Sequence, residues 1–181
     1  MKSSPVFTYN LPEPGVATAS LVVGDMFADF HLTNVCNPLN DLLSGFAQMI
    51  LQPRHLWNET NNVRVVWYGD SEQYYWDMEL KLDNQFQLKI SEVCDFFGDD
   101  AIELLSTECS LFEILLPVIK NLDVFIKQVG LLNYYQKWQK DEFPLTLFLF
   151  LKRYLIDNGI WATTTEQKQD IIKDEMKLLL L

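Results

Sequence analysis

The stretch "QYYWDMELKLDNQFQLKI", residues 73–90, predicts the β part of the fold most clearly. Apolar or aromatic side chains occupy every second position from Tyr74 to Leu82, and the pattern returns from Phe86 to Ile90. This period of two is typical of strands that bury one face. Asp83-Asn84 between the two runs suits a tight turn. We therefore expect two antiparallel strands that share one apolar face.

Further strands are predicted upstream of this pair. The run "VRVVWY" (63–68) is rich in β-branched and aromatic residues, which favour strands. "VATASLVV" (16–23) and "MFADFHLT" (26–33) flank Gly24-Asp25, which fits a two-residue hairpin with glycine at the first turn position. Residues 1–15 carry three prolines, and we expect an irregular arm there with a short extended piece at 6–9.

A helix is predicted between these strands, in "NPLNDLLSGFAQMIL" (37–51). Asn37 can cap its amino terminus, and Pro38 suits the first helical position. Apolar residues follow at helical spacing, namely Leu39, Leu42, Leu43, Phe46 and Ile50. The predicted order is β-β-α-β-β-β, an antiparallel meander with one inserted helix.

The second half of the chain predicts three to four helices. Ser110 and Glu113 form a capping-box pattern ahead of a long apolar run, and Gly130 is a natural stop. Pro117 inside that run predicts a kink or a break. Further helices are expected after Gly130, from Pro144 to Gly159, and over 164–180, where Thr163 and Glu166 have capping-box spacing.

Length and composition suit one α+β domain over residues 1–181, with a sheet half at 16–91 and a mainly helical half at 92–181. The net charge of −11 disfavours nucleic acid and anionic membrane surfaces as partners. The same charge would attract a basic protein, although net charge also serves solubility alone.

Cysteine usage and hydropathy bear on location. Cys36, Cys94 and Cys109 make an odd count without paired spacing, which suits a reducing compartment. The longest apolar run, residues 143–151, is too short to span a bilayer, and the amino terminus has no signal-peptide pattern. We therefore expect a cytoplasmic protein.

The segment "SEVCDFFGDDAIELLSTECSLFEILL" (91–116) carries seven carboxylates and no lysine or arginine. It lacks the ligand spacing of a calcium loop, and the histidines and cysteines of the chain are too scattered for a zinc site. The sequence therefore predicts no metal and no cofactor. We expect a solvated loop that leads into the helix capped by Ser110.

Catalytic patterns are weak throughout. Asp77 and Glu79 share one strand face, but that spacing also describes an ordinary solvated strand. His31 and Cys36 have no evident partner side chain, and no phosphate-binding or nucleophile-elbow motif is present. We therefore expect the protein not to be an enzyme.

The stretches "FADFHLTNVCNPLNDLLSGFAQMI" and "VRVVWYGDSEQYYWDMELKL" resemble small, largely uncharacterised bacterial α+β proteins. Proteins of this kind occur among the immunity proteins of polymorphic and contact-dependent toxin systems. The resemblance covers residues 16–92 and supplies no catalytic residues. It implies a non-catalytic protein that covers a toxin's basic active site.

The leading hypothesis is therefore a cytoplasmic protein-binding domain with a basic partner. Its predicted docking surface combines the acidic segment with the outer strand face, namely Asp70, Glu72, Tyr75, Asp77, Glu79, Glu92, Asp95, Asp99, Asp100 and Glu103. Trp57 is a further candidate for an exposed aromatic anchor. Two alternatives stay open: a ligand-binding domain or small enzyme with a pocket between sheet and helices, and a homo-oligomer formed through the last helix. The oligomeric state is not predicted.

Overall fold

The computed structural model describes residues 4–52, 61–81, 84–94, 101–162 and 171–177. These residues form an α+β fold, which confirms the predicted class. The strands are β1 (Val6–Glu13), β2 (Val16–Val23), β3 (Met26–Thr33), β4 (Asn61–Tyr68), β5 (Gln73–Leu80), β6 (Gln85–Val93) and β7 (Ala101–Ser110). The helices are α1 (Pro38–Leu51), α2 (Leu111–Val129), α3 (Leu131–Trp138), α4 (Leu145–Asp157) and α5 (Ile171–Lys177).

The predicted single meander is instead two antiparallel sheets, ordered β1-β2-β3 and β4-β5-β6-β7. The hairpin at Gly24-Asp25 is confirmed, since Val23 pairs with Met26 and Gly24 has a φ of +62°. The irregular arm is wrong, because residues 6–13 form the full strand β1. Its prolines obscured this strand, but β1 lies at a sheet edge and Pro12 falls where the register with β2 shifts, between Asn10 and Glu13; edges and bulges are where strands tolerate proline.

The four-stranded sheet contains a strand that the sequence did not predict. Residues 101–110 form β7, which pairs with β6, so the expected loop is wrong for this part of the acidic segment. Leu105 is the one residue of β7 that is buried, so apolar alternation is faint there. The register between β6 and β7 also shifts between Ile90 and Ser91, as at a β-bulge.

The register between β5 and β6 differs from the one that a two-residue turn at Asp83-Asn84 would give. Such a turn would pair residue 82 with Gln85, whereas the observed ladder pairs Leu80 with Phe86. A one-residue slip would place Phe86 opposite a residue of the other face. Burial of the apolar face therefore sets this register; Asn84 has a φ of +60°, and Asp83 lies outside the described residues.

The core is one cluster of buried side chains contributed by both sheets and by the helices. The ring of Phe30 on β3 lies 5.0 Å from those of Trp67 and Tyr74 and 5.1 Å from that of Trp76. The first two pairs are edge-to-face and the third is stacked, and aromatic pairs of either kind add about 0.5–1.5 kcal/mol each beyond area burial. The side chain of Trp67 also donates its Nε1 hydrogen to the carbonyl of Pro38 at 2.8 Å, which joins the sheet to α1.

Helix α1 covers the rest of the inner face of the four-stranded sheet. Asn37 caps it by accepting a hydrogen bond from the backbone of Asn40 at 3.1 Å, as predicted. Gly45 permits a close approach, because a Cβ there would lie 2.8 Å from side-chain carbons of both Met78 and Val65. The opposite face of this sheet consequently points away from the core.

Helix α2 begins at the predicted capping box, with Ser110 and Glu113 both in place, and ends at Gly130, whose φ is +82°. The predicted break at Pro117 is wrong, since α2 is continuous from Leu111 to Val129. Burial of one whole face of α2, which packs on β1, compensates for the hydrogen bond that a proline removes.

The carboxyl-terminal helices are tied to α2 by charge. Asp123 is buried on α2 and accepts hydrogen bonds from Lys127 at 2.8 Å and from Lys152 of α4 at 2.6 Å. Glu175 of α5 accepts from the first two backbone N–H groups of α3, at 2.7 and 3.0 Å. Of the last predicted helix, only 171–177 are described, and its capping box at Thr163 and Glu166 lies outside the described residues.

Candidate protein-binding face

The strand register brings polar side chains together on the side of the four-stranded sheet that points away from the core. We call this surface the outer face, defined by Asn62, Arg64, Tyr75, Asp77, Glu79, Lys81, Gln87, Lys89, Glu103 and Glu108. Their side chains are exposed or half-buried, because alternation directs the apolar residues of the same strands into the core. The face includes four of the predicted docking residues, Tyr75, Asp77, Glu79 and Glu103.

The centre of the outer face is held by a cross-strand pair. Arg64 lies directly opposite Asp77 and contacts it in bidentate fashion, at 2.5 Å from Nε and 3.0 Å from Nη2. The hydrogen bond to Asp77 raises the pKa of Arg64. The guanidinium carbon lies 5.2 Å from the ring centroid of Tyr75, within cation–π range. These contacts order three long side chains on one surface.

Two further pairs follow on the same face. Lys89 lies 3.1 Å from Glu103, and Lys81 lies 3.7 Å from Glu108. Exposed pairs of this kind contribute only about 0.2–1 kcal/mol, so a partner can exchange them at small cost. The face therefore carries four carboxylates and three cations, and its charge is far more balanced than that of the whole chain.

One carboxylate of the outer face pairs with no cation among the residues that the structure describes. Glu79 is half-buried near the carboxyl end of β5, opposite Asn62 of β4 and Gln87 of β6, and it makes no ion pair within the described part of the chain. A groove of about 520 Å³ opens here, lined by the side chains of Asn62, Arg64, Asp77, Glu79, Gln87 and Lys89. Glu79 thus lines a polar groove with amide groups on either side.

Of the remaining predicted carboxylates, the three that the structure describes, Asp70, Glu72 and Glu92, lie at one end of the sheet. Partial burial opposes the ionisation of Glu72. Hydrogen bonds from Ser71 and Tyr74 outweigh this effect and lower the pKa of Glu72. Burial, with the charge of Glu72 next, raises the pKa of Tyr74. Glu92 lies opposite Tyr74 in the β5–β6 ladder. Asp70 is exposed and precedes Glu72 by two positions. Asp95, Asp99 and Asp100 lie outside the described residues, as does Trp57.

The described docking residues fall into two groups, one on the outer face and one at the end of the sheet. The structure adds three cations that were not predicted as part of the site. Arg64, Lys81 and Lys89 were overlooked because the carboxylates were considered without the register. A ladder drawn through the apolar positions of the three strands would have placed Arg64 and Lys89 on either side of Asp77. The sequence signal was therefore present but was not used.

The other candidates for chemistry, His31, Cys36 and the possible metal ligands, do not come together in a site within the described residues. His31 is exposed on β3, and burial raises the pKa of the Cys36 thiol. Within the described ranges, no group of three or more histidine, cysteine, aspartate or glutamate side chains could hold a metal ion. No helix in the same ranges is both long and apolar enough to cross a bilayer.

Comparison of the chain with protein-family models, with curated proteins and with solved structures found no match in any of the three.

Proposed function

We propose that this chain is a non-catalytic protein-binding domain, and most concretely an immunity-type inhibitor that covers a basic bacterial toxin domain with its outer face. The observation that carries the proposal is the outer face itself. It is a broad polar surface with an ordered tyrosine and arginine at its centre, on a sheet whose other side is anchored in the core. Tyrosine and arginine are the residue types that most often dominate binding energy at interfaces.

The negative net charge of the chain favours a partner with a positive charge. The net charge of −11 would draw a basic domain toward the chain from a distance and raise its association rate. At contact, the weak exposed pairs of the outer face would exchange for pairs with the partner. Inhibition would then follow from occlusion alone, without any bond being made or broken.

The proposed location is the cytoplasm. Cys36, Cys94 and Cys109 make an odd count without paired spacing, which suits a reducing compartment. A toxin that reaches the cytoplasm would meet its inhibitor there.

The alternative of a ligand-binding domain or small enzyme gains no specific support. Its predicted pocket lay between sheet and helices, but Phe30, Trp67 and Trp76 instead contact one another in the core between the two sheets, so these aromatic side chains do not line such a pocket. The outer face therefore remains the better candidate for function.

The proposal is tested by charge reversal and capture from the source cells. The tagged double variant Glu79→Lys with Glu103→Lys changes the outer face, and the matched control Glu13→Lys with Asp25→Lys makes the same charge change at exposed positions of the other sheet. We expect the wild type and the control to retain one stoichiometric basic partner and the face variant to lose it. Equal retention by both variants would show that the outer face is not the docking surface.

A further inference from the structure

We infer that the groove around Glu79 is a guanidinium-binding subsite, which receives an arginine side chain of the basic partner. The inference rests on the proposed function for its biological occupant, but the subsite itself can be tested with a small probe. It follows from how charge is distributed over the outer face.

Every carboxylate of the outer face except one has its own cation. Asp77 is held by Arg64, Glu103 by Lys89 and Glu108 by Lys81, all at 2.5–3.7 Å. Glu79 has no ion pair in the described part of the chain, although it sits on a central strand with cations on both neighbouring strands. The uncompensated charge of the face therefore lies in the groove.

Arg64 and Lys89 also line the groove, and their charges would repel a further cation if no carboxylate compensated them. Arg64 is engaged in bidentate fashion by Asp77, and Lys89 contacts Glu103 at 3.1 Å. These two cations thus face two carboxylates of their own. Adding Glu79 leaves one net negative charge, which a single incoming cation would neutralise.

The neighbours of Glu79 favour a planar, many-donor cation. Asn62 and Gln87 lie directly across from Glu79 on the two adjacent strands, so their amide oxygens can flank its carboxylate. Cross-strand neighbours have Cβ atoms about 4.5–5.5 Å apart. A guanidinium carries five N–H donors in a rigid fork and can reach a carboxylate and a flanking amide oxygen at once, whereas an ammonium is a compact point charge with three donors.

The test is an NMR titration of the full-length, isotope-labelled chain with Nα-acetyl-arginine amide. The matched probes are the lysine analogue, with the same charge, and the citrulline analogue, with nearly the same shape and no charge. We expect saturable shifts in the backbone amides of residues 62, 79 and 87 with the arginine probe, weaker binding by about threefold for lysine, and no saturable binding for citrulline.

Two variants locate the subsite. Glu79→Gln should weaken arginine binding by about threefold to fivefold, as expected for loss of an exposed charge pair, while Glu13→Gln, at an exposed position of β1 outside the outer face, should leave it unchanged. Equal binding of lysine and arginine, equal effects of the two variants, or no saturable shifts at residues 62, 79 and 87 would each overturn the inference.

The result is separable from the fate of the proposed function. If cells yield no basic partner but the arginine probe binds in a Glu79-dependent way, the subsite stands and the inhibitor proposal fails. If a basic partner binds through the outer face and Glu79→Gln leaves its affinity unchanged, the inhibitor proposal stands and the subsite fails.

Discussion

Replacing Asp123 by asparagine should destabilise the fold through the charges that it leaves behind. Its side chain is 6% exposed, and its two oxygens accept from Lys127 and Lys152, whose side chains are 27% and 22% exposed. The Lys152 ammonium also lies 4.8 Å from the ring centroid of Trp161, so it cannot retreat into water without breaking that contact. An amide offers no negative charge to either lysine.

The magnitude follows from burial. Removing one partner of a fully buried pair costs about 3–5 kcal/mol. Because both lysines keep roughly a quarter of their exposure, water recovers part of this cost, and we expect a loss of about 2–3 kcal/mol in the free energy of unfolding. Urea unfolding followed by tryptophan fluorescence measures it directly, with an unchanged slope as evidence for a two-state comparison.

A matched control comes from an exposed ion pair within α4. Asp157 pairs with Arg153 on α4, but their side chains are 54% and 73% exposed. Asp157→Asn should therefore cost only about 0.3–0.5 kcal/mol. A loss below about 1 kcal/mol for Asp123→Asn, or a loss equal to that of the control, would refute the role given to the buried carboxylate.

Three further predictions concern the core and the sheet end. Trp67→Phe should cost about 1 kcal/mol more than Trp76→Phe in urea unfolding, because only the Trp67 indole has a hydrogen-bond partner among the described residues; equal losses would contradict this. Gly45→Ala should destabilise by about 1–3 kcal/mol despite its better helix propensity, since the new methyl would lie 2.8 Å from Met78; increased stability in the same assay would show that the helix can shift. Glu72 has a folded-state pKa below its ordinary value of 4.5, so its contribution to stability is present above that value and is lost as pH falls through the folded-state pKa. Glu72→Gln should therefore lower the melting temperature more at pH 6 than at pH 3. A difference in melting temperature that does not change with pH would contradict the shift.

Local signals in the sequence predicted local structure well. The cap at Asn37, the capping box at Ser110 and the stop at Gly130 each depend on a few consecutive residues, and all three are confirmed. The hairpin at Gly24-Asp25 is confirmed for the same reason, because a two-residue turn fixes the register of its flanking strands.

The two edge strands β1 and β7 were not predicted, although each pairs with the strand next to it in the chain. In β7 the partner strand rather than a strong apolar alternation maintains the extended backbone, whereas β1 alternates at Phe7, Tyr9 and Leu11 and was obscured by its prolines. The division into two sheets was also not predicted, because it depends on packing between residues that are distant in the chain. Helix α1 separates them in sequence, but only packing of Phe30 on Trp67 shows that they face each other rather than pair.

The candidate site was found in part. Alternation alone placed Tyr75, Asp77 and Glu79 on the face that points away from the core, as the structure has them. The cations were missed because they become neighbours of the carboxylates only through the register between strands. A two-residue turn at Asp83-Asn84 would have set Lys89 one position off. Charge counted along the chain therefore overstated the acidity of the face.

The most direct test of the outer face as a docking surface is site-specific photocrosslinking in the source cells. Gln87 lies beside Glu79 on the outer face, and Gln128 is an equally exposed glutamine on α2; each would be replaced in turn by p-benzoylphenylalanine. The proposed function predicts one adduct with a basic protein from position 87 and none from position 128. An adduct from position 128 alone, or no adduct from position 87 while the partner is still captured, would contradict it.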